Sequence, residues 1–85
     1  MEITVEISYY PLTDNYKKPV DDFIKKLSGN NRLIITPGVM SSMISGGYDD
    51  VMKTLTDEIK PFMEKYPSVF TLKIANACKT CSEDQ

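Results

Sequence analysis

An α+β sandwich, with helices on one side of a single sheet, is the fold class that this 85-residue sequence predicts. In its first and last segments, hydrophobic side chains recur at every second residue, which is the period of a half-buried strand. Two longer segments between them repeat hydrophobic side chains at helical spacing. Two short strand-like segments separate these helical ones. The predicted order is therefore β-α-β-β-α-β.

The first strand is predicted over residues 2–10 and the first helix over residues 16–27. In the strand, Ile3, Val5, Ile7 and Tyr9 face one side, and Glu2, Thr4, Glu6, Ser8 and Tyr10 face the other. The helix carries an apolar stripe of Val20, Phe23, Ile24 and Leu27. Asp14 or Asn15 is expected to cap its start, because short polar side chains bond the free N–H groups there.

A hairpin is predicted next, with strands over residues 32–36 and 39–45 joined by a turn at Pro37-Gly38. The glycine pair at 46–47 closes the second of these strands and could cradle an anion, although a plain strand-to-helix turn is the favoured interpretation.

The second helix is predicted over residues 48–66 and the last strand over residues 68–76. Pro61 is expected to kink this helix or end it early, because proline removes a backbone donor. Its apolar stripe is expected to lie in the core: Val51, Met52, Leu55, Ile59, Phe62, Met63 and Tyr66. In the last strand, Phe70, Leu72 and Ile74 are expected to face the helices.

This element order is that of the ferredoxin-like sandwich, a four-stranded antiparallel sheet with both helices on one face. One domain is predicted over residues 1–77, followed by a polar tail at 78–85. The tail contains Cys78 and Cys81, which we interpret as free thiols. A metal or redox role is the alternative, but a closed zinc site needs four ligands.

Composition excludes several classes of function. The net charge is −2 and there is no histidine, so neither nucleic-acid binding nor histidine-dependent catalysis is expected. No secretion signal or membrane span is visible, so the cytoplasm is the expected compartment and no membrane partner is expected. We expect a protein that is not an enzyme and carries no cofactor.

The sheet face away from the helices, here called the open face, holds hydroxyls and one acid–base pair, Glu6 and Lys73. The sequence does not decide whether the hairpin strand turns Ser42 and Ile44 or Ser41, Met43 and Ser45 toward this face. The open face is interpreted as a solvated surface, a dimer surface or the floor of a ligand site. Its weak charge favours pairing, so a homodimer or homotetramer is expected.

Three stretches resemble the YkoF-like family of thiamine- and hydroxymethylpyrimidine-binding proteins: "VEISYYPL" at 5–12, "GVMSSMISGGYDDVM" at 38–52 and "VFTLKI" at 69–74. The chain departs from the family at Ser42, where the family usually has threonine. The resemblance implies binding of thiamine or its pyrimidine half without turnover. The candidate ligand-binding residues are Glu6, Ser8, Tyr10, Met40, Ser41, Ser42, Tyr48 and Lys73.

In this interpretation, the Glu6 carboxylate accepts hydrogen bonds from the aminopyrimidine, and Ser41 or Ser42 completes the rim. Two other functions stay open. One is an interaction module that binds no small ligand, and the other is a redox or metal-binding protein that works through Cys78 and Cys81.

Overall fold

The computed structural model describes residues 1–38 and 40–77. Its six elements follow the predicted order. They are β1 (Glu2–Pro11), α1 (Lys17–Ser28), β2 (Ile34–Pro37), β3 (Ser42–Gly47), α2 (Tyr48–Lys65) and β4 (Ser68–Ala75). The strands form one four-stranded antiparallel sheet in the order β2-β3-β1-β4. The ferredoxin-like fold is therefore confirmed. The tail at 78–85 lies outside the described residues.

The core lies between the helices and the central strands β1 and β3. The alternation predicted for β1 is confirmed, because Ile3, Val5 and Ile7 are almost fully buried. The other buried apolar side chains are Phe23, Leu27, Leu33, Ile44, Val51 and Leu55. At one end of the core, Tyr9 stacks on Phe70 with ring centroids 4.2 Å apart. Burial of these apolar groups is the main stabilising contribution to such a small domain.

The hairpin differs from the prediction at its turn. Pro37 is not a turn residue: it is the last residue of β2 and pairs with Ser42, so β3 begins at Ser42 and ends at Gly47. The connection is longer than the two-residue turn expected. Proline is tolerated at this position because β2 is an edge strand, where a missing N–H need not remove a ladder bond.

The helices correct two further expectations. The N-cap of α1 is Tyr16, and no side chain caps this end, so neither Asp14 nor Asn15 acts as predicted. Helix α2 does not end early at Pro61 but continues to Lys65. Proline removes only its own backbone donor, and the apolar face of α2 remains packed on the sheet.

One buried polar contact ties α2 to the end of α1. Thr54 is polar but only 7% exposed, because it lies on the core side of α2. The Asn30 side-chain amide donates to the Thr54 hydroxyl at 2.8 Å, and the Asn30 side-chain oxygen accepts from the backbone N–H of Arg32 at 2.9 Å. This contact satisfies the buried hydroxyl, which would otherwise be costly.

Candidate functional site

The orientation of β3 decides which hydroxyls reach the open face. Ile44 is fully buried and Ser42 is 5% exposed, so both face the helices. Because side chains alternate along a strand, Met43 and Ser45 lie on the open face. Pairing with β1 agrees, since Met43 lies opposite Glu6 and Ser45 opposite Thr4. The Ser45 and Thr4 hydroxyls are 3.3 Å apart.

Glu6, Ser41 and Lys73 form a polar cluster in the middle of the open face, here called the open-face cluster. The Ser41 hydroxyl donates to Glu6 Oε2 at 3.1 Å. Lys73 Nζ lies 3.7 Å from Glu6 Oε1, and the two residues are register partners on β4 and β1. The Lys73 side chain is 87% exposed and that of Glu6 is 42% exposed, so water screens this ion pair and it adds little stability.

A cavity of about 580 Å³ lies on the opposite side of the sheet, between α1, β1 and the connection that leads into β3. It is here called the helix-side cavity. Its apolar wall comes from Ile7, Tyr9, Val20, Phe23, Ile24 and Pro37, and its more polar edge from Tyr16, Lys17, Asp21, Lys25, Gly38, Met40, Ser41 and Ser42.

Gly38 permits the tight course of this connection. A Cβ atom on Gly38 would lie 2.5 Å from the carbonyl oxygen of Ser41, closer than side-chain atoms normally approach. The glycine therefore lets the chain fold back on itself just before β3 and brings Met40, Ser41 and Ser42 to the mouth of the cavity.

The structure places the predicted site residues in two groups, with Tyr48 apart from both. Met40, Ser41 and Ser42 line the helix-side cavity. Glu6, Ser8, Tyr10 and Lys73 lie on the open face, with Ser8 opposite Thr71 and Tyr10 opposite Val69. Ser41 joins the two groups, because it lines the cavity and also bonds Glu6.

Tyr48 stands apart from both groups. Its backbone N–H donates to the Met1 carbonyl at 2.8 Å, at the end of the sheet where Gly47 pairs with Glu2. The length of β3 separates it from Ser41. Ser42 likewise does not join the open face, since its buried side chain points to the helices.

The contribution of α1 to the cavity was missed by the sequence analysis. Tyr9 and Phe23 were correctly placed on the core side, but both also line the cavity, together with Asp21 and Lys25. Their rings are 5.4 Å apart, centroid to centroid, in an edge-to-face arrangement. The helical stripe of α1 gave no signal for this, because core side chains and cavity side chains share one face of the helix.

The glycine pair at the start of α2 does not have the electrostatics of an anion site. A Cβ atom on Gly47 would lie 3.8 Å from carboxylate oxygens of both Asp50 and Glu2. These negative charges offset the partial positive charge of the helix N-terminus. The plain strand-to-helix turn is therefore the better interpretation.

No metal centre is found in residues 1–38 and 40–77, where no three side chains of the His, Cys, Asp or Glu types are grouped to hold an ion. Within the same residues, no helix is both long and apolar enough to cross a membrane. Cys78 and Cys81 lie outside these residues, so their predicted role stays a prediction.

Comparison with solved structures shows the same fold in several proteins. A Thermotoga maritima protein assigned provisionally to thiamine biosynthesis or salvage matches with a TM-score of 0.81 at 18% identity, over 91% of this chain and 85% of its own. A Streptococcus pneumoniae protein matches with a TM-score of 0.86 at 14% identity, over 99% and 96% of the two chains. A hypothetical protein of Methanocaldococcus jannascii matches with a TM-score of 0.77 at 20% identity, over 92% and 82%.

At these identities the likeness establishes the fold class alone. No protein-family model matches the chain, and a search of curated proteins finds no match either.

Proposed function

We propose that this protein binds thiamine or its hydroxymethylpyrimidine half without converting it. The observation that carries the proposal is the helix-side cavity, which is lined in part by Met40, Ser41 and Ser42, the segment that the sequence had singled out. The provisional assignment of the Thermotoga maritima neighbour to thiamine metabolism supports the same ligand class. The resemblance of the three sequence stretches to the YkoF-like family supports it as well.

The cavity has the size and lining of a small-molecule site. Its volume of about 580 Å³ falls within the range of about 300–1,000 Å³ that is usual for ligand pockets. Ile7, Tyr9 and Phe23 offer an apolar and aromatic wall to a flat ring. Ser41 and Ser42 offer hydroxyls that can donate to a ring nitrogen or accept from an exocyclic amine.

Glu6 then acts through Ser41 and not by direct contact. Its carboxylate holds the Ser41 hydroxyl at 3.1 Å, while Lys73 neutralises its other oxygen from 3.7 Å. Ser8, Tyr10 and Lys73 would touch the ligand only if it lay over the open face, which is the placement that the sequence analysis favoured. Substitutions on the two sides of the sheet separate these placements.

Thiamine, its phosphates and free hydroxymethylpyrimidine should be titrated calorimetrically, with choline as an unrelated cation. Ser42→Ala removes a hydroxyl from the cavity and should weaken binding up to about 10-fold, since a neutral hydrogen bond contributes about 0.5–1.5 kcal/mol. Ser45→Ala is the matched control, because it removes a serine hydroxyl from the same strand on the open face. It should bind like the parent protein.

Glu6→Gln measures the part played by the open face. If Glu6 contacts the ligand directly, this substitution should weaken binding by about 1.5–3 kcal/mol, or roughly 10- to 100-fold in affinity. Action through Ser41 predicts a smaller loss than that. A large loss in Glu6→Gln with normal binding by Ser42→Ala would move the ligand to the open face. Absence of binding to every compound in the set would reject the proposed function itself.

A further inference from the structure

The charged residues that line the helix-side cavity, among the described residues, all belong to α1. Lys17, Asp21 and Lys25 are spaced four residues apart, so they lie in one row along the helix. No ion pair within residues 1–38 and 40–77 involves either lysine, although Asp21 lies one turn from both. The rim of the cavity therefore holds two unpaired ammonium groups and one carboxylate, in a chain whose net charge is −2.

The start of α1 adds positive potential at one end of this row. Tyr16 is the N-cap residue and Lys17 the first residue of the helix, and both line the cavity. No side chain caps this end, and its first turn contains no acidic residue. Asp14, three residues before Lys17, is exposed and does not line the cavity. A helix start leaves backbone N–H groups without partners and carries a partial positive charge, so it favours a negative group beside Lys17.

Ser42 provides independent evidence that the cavity accepts a polar ligand. The residue is only 5% exposed and lines the cavity. Its hydroxyl has no hydrogen-bond partner within residues 1–38 and 40–77. In the same part of the chain, every fully buried side-chain oxygen or nitrogen has a partner, so the Ser42 hydroxyl is reached from the cavity. It is therefore available to a molecule that fills the cavity.

We propose that the helix-side cavity binds its ligand as a phosphate monoester. The ring lies against the apolar wall formed by Ile7, Tyr9 and Phe23, and the phosphate lies at the start of α1, where Lys17 and the free N–H groups bind it. A phosphate monoester carries nearly two negative charges at neutral pH and offers three strong acceptor oxygens. The identity of the ring rests on the proposed function, whereas the anion subsite rests on the charges of the rim.

The distances along α1 give the two lysines unequal parts. At about 1.5 Å per residue, Lys25 lies roughly 12 Å from Lys17 along the helix axis, and Asp21 roughly 6 Å. A phosphate at the helix start contacts Lys17, whereas Lys25 attracts it from a distance at which salt screens the interaction. Asp21 weakens the attraction without cancelling it, since two lysines and the helix start oppose one carboxylate.

Calorimetric titration with thiamine and with thiamine monophosphate tests the inference. The parent protein should bind the phosphate ester about 10- to 100-fold more tightly, the gain expected from one charge-assisted contact. Added salt should reduce this preference. Lys17→Ala should remove most of the preference and leave the affinity for thiamine itself within about 2-fold of the parent value, because only the phosphate contacts Lys17. Equal binding of the two ligands by the parent protein would overturn the inference.

Lys18→Ala is the matched control. It removes the same charge from the neighbouring position, but Lys18 does not line the cavity, and its Nζ lies 3.1 Å from Asp22 Oδ2. This variant should keep the preference of the parent protein, and Lys25→Ala should lose less of it than Lys17→Ala. Equal losses in Lys17→Ala and Lys18→Ala would trace the preference to net charge and would reject a subsite at the rim.

Inorganic phosphate separates this inference from the proposed function. Titrated alone, it should shift the backbone amide NMR signals of Lys17 and Lys18 before those of the rest of the chain, and Lys17→Ala should weaken this response. If no thiamine compound binds while phosphate still shifts these signals, the proposed function fails and the anion subsite stands. If thiamine binds, phosphate shifts nothing and the ester has no advantage, the anion subsite fails and the proposed function stands.

Discussion

Gly46 marks a point where β3, α2 and the segment that leads into β2 approach too closely for any side chain. A Cβ atom on Gly46 would lie 2.7 Å from Leu33 Cδ2 and 3.4 Å from Val51 Cγ2. Both neighbours are buried, so neither can move without disturbing the core. The glycine is required here by packing and not by an unusual backbone angle, since the described chain has no glycine with positive φ.

Gly46→Ala should therefore destabilise the protein, by about 1–3 kcal/mol, the usual cost of overpacking. The adjacent Gly47→Ala is the control. Gly47 has extended backbone angles that alanine adopts readily, and its Cβ would make only ordinary contacts at 3.8 Å. Urea unfolding of the two variants measures the difference. Equal free energies of unfolding would show that the packing around Gly46 is looser than described.

At the scale of the element, α2 retains a proline well inside its length. Pro61 is exposed and has no backbone N–H, so one hydrogen bond of the helix is missing there. The helix nevertheless continues, and the backbone N–H of Tyr66 donates to the Phe62 carbonyl at 2.9 Å. Packing of Val51, Leu55 and Phe62 on the sheet maintains α2 through this defect.

Pro61→Ala should raise the free energy of unfolding by about 1–3 kcal/mol, because alanine restores the bond and has the highest helix propensity. The gain is offset in part by the greater freedom of alanine in the unfolded chain. Lys60→Ala, at the exposed neighbouring position, should change stability much less. Thermal unfolding followed by circular dichroism is the measurement, and an unchanged or lower Tm for Pro61→Ala would contradict the account.

At the scale of the whole molecule, every helix and strand that the structure describes in residues 1–38 and 40–77 lies within residues 2–75. The segment 78–85, "CKTCSEDQ", is polar in sequence and has no apolar stripe to bury. The fold and the helix-side cavity are therefore expected to form without it.

Deletion of residues 78–85 should leave both the Tm and the affinity for thiamine close to those of the full chain. Calorimetry on the two proteins makes the comparison, with Cys78→Ser/Cys81→Ser as a control that retains the length of the tail. Loss of binding in both altered proteins would assign the cysteines to the site. Purification of the full chain with one zinc ion per two copies would give them a metal role instead.

The sequence by itself determined the element order, the fold class and the two faces of β1. Those features follow from strong local contrast, because apolar and polar side chains alternate without interruption from Ile3 to Tyr9. The same alternation predicted that Glu6 and Lys73 lie on one face of the sheet, and in the structure they are register partners on β1 and β4. The uncharged, serine-rich stretch and the family resemblance, rather than alternation, drew attention to Met40, Ser41 and Ser42, and all three line one cavity.

Only the tertiary structure decided which way β3 faces and which apolar side chains remain uncovered. Each face of β3 and its approach combines serine with one apolar residue, so alternation alone does not fix the orientation of the strand. The burial of Ile44 in the core determines it. Leu72 and Ile74 have the pattern of core residues, and they stay exposed because α2 lies over β1 and β3 and leaves β4 at the margin. Alternation along a strand specifies a face, whereas the element that covers that face is set by how the layers pack.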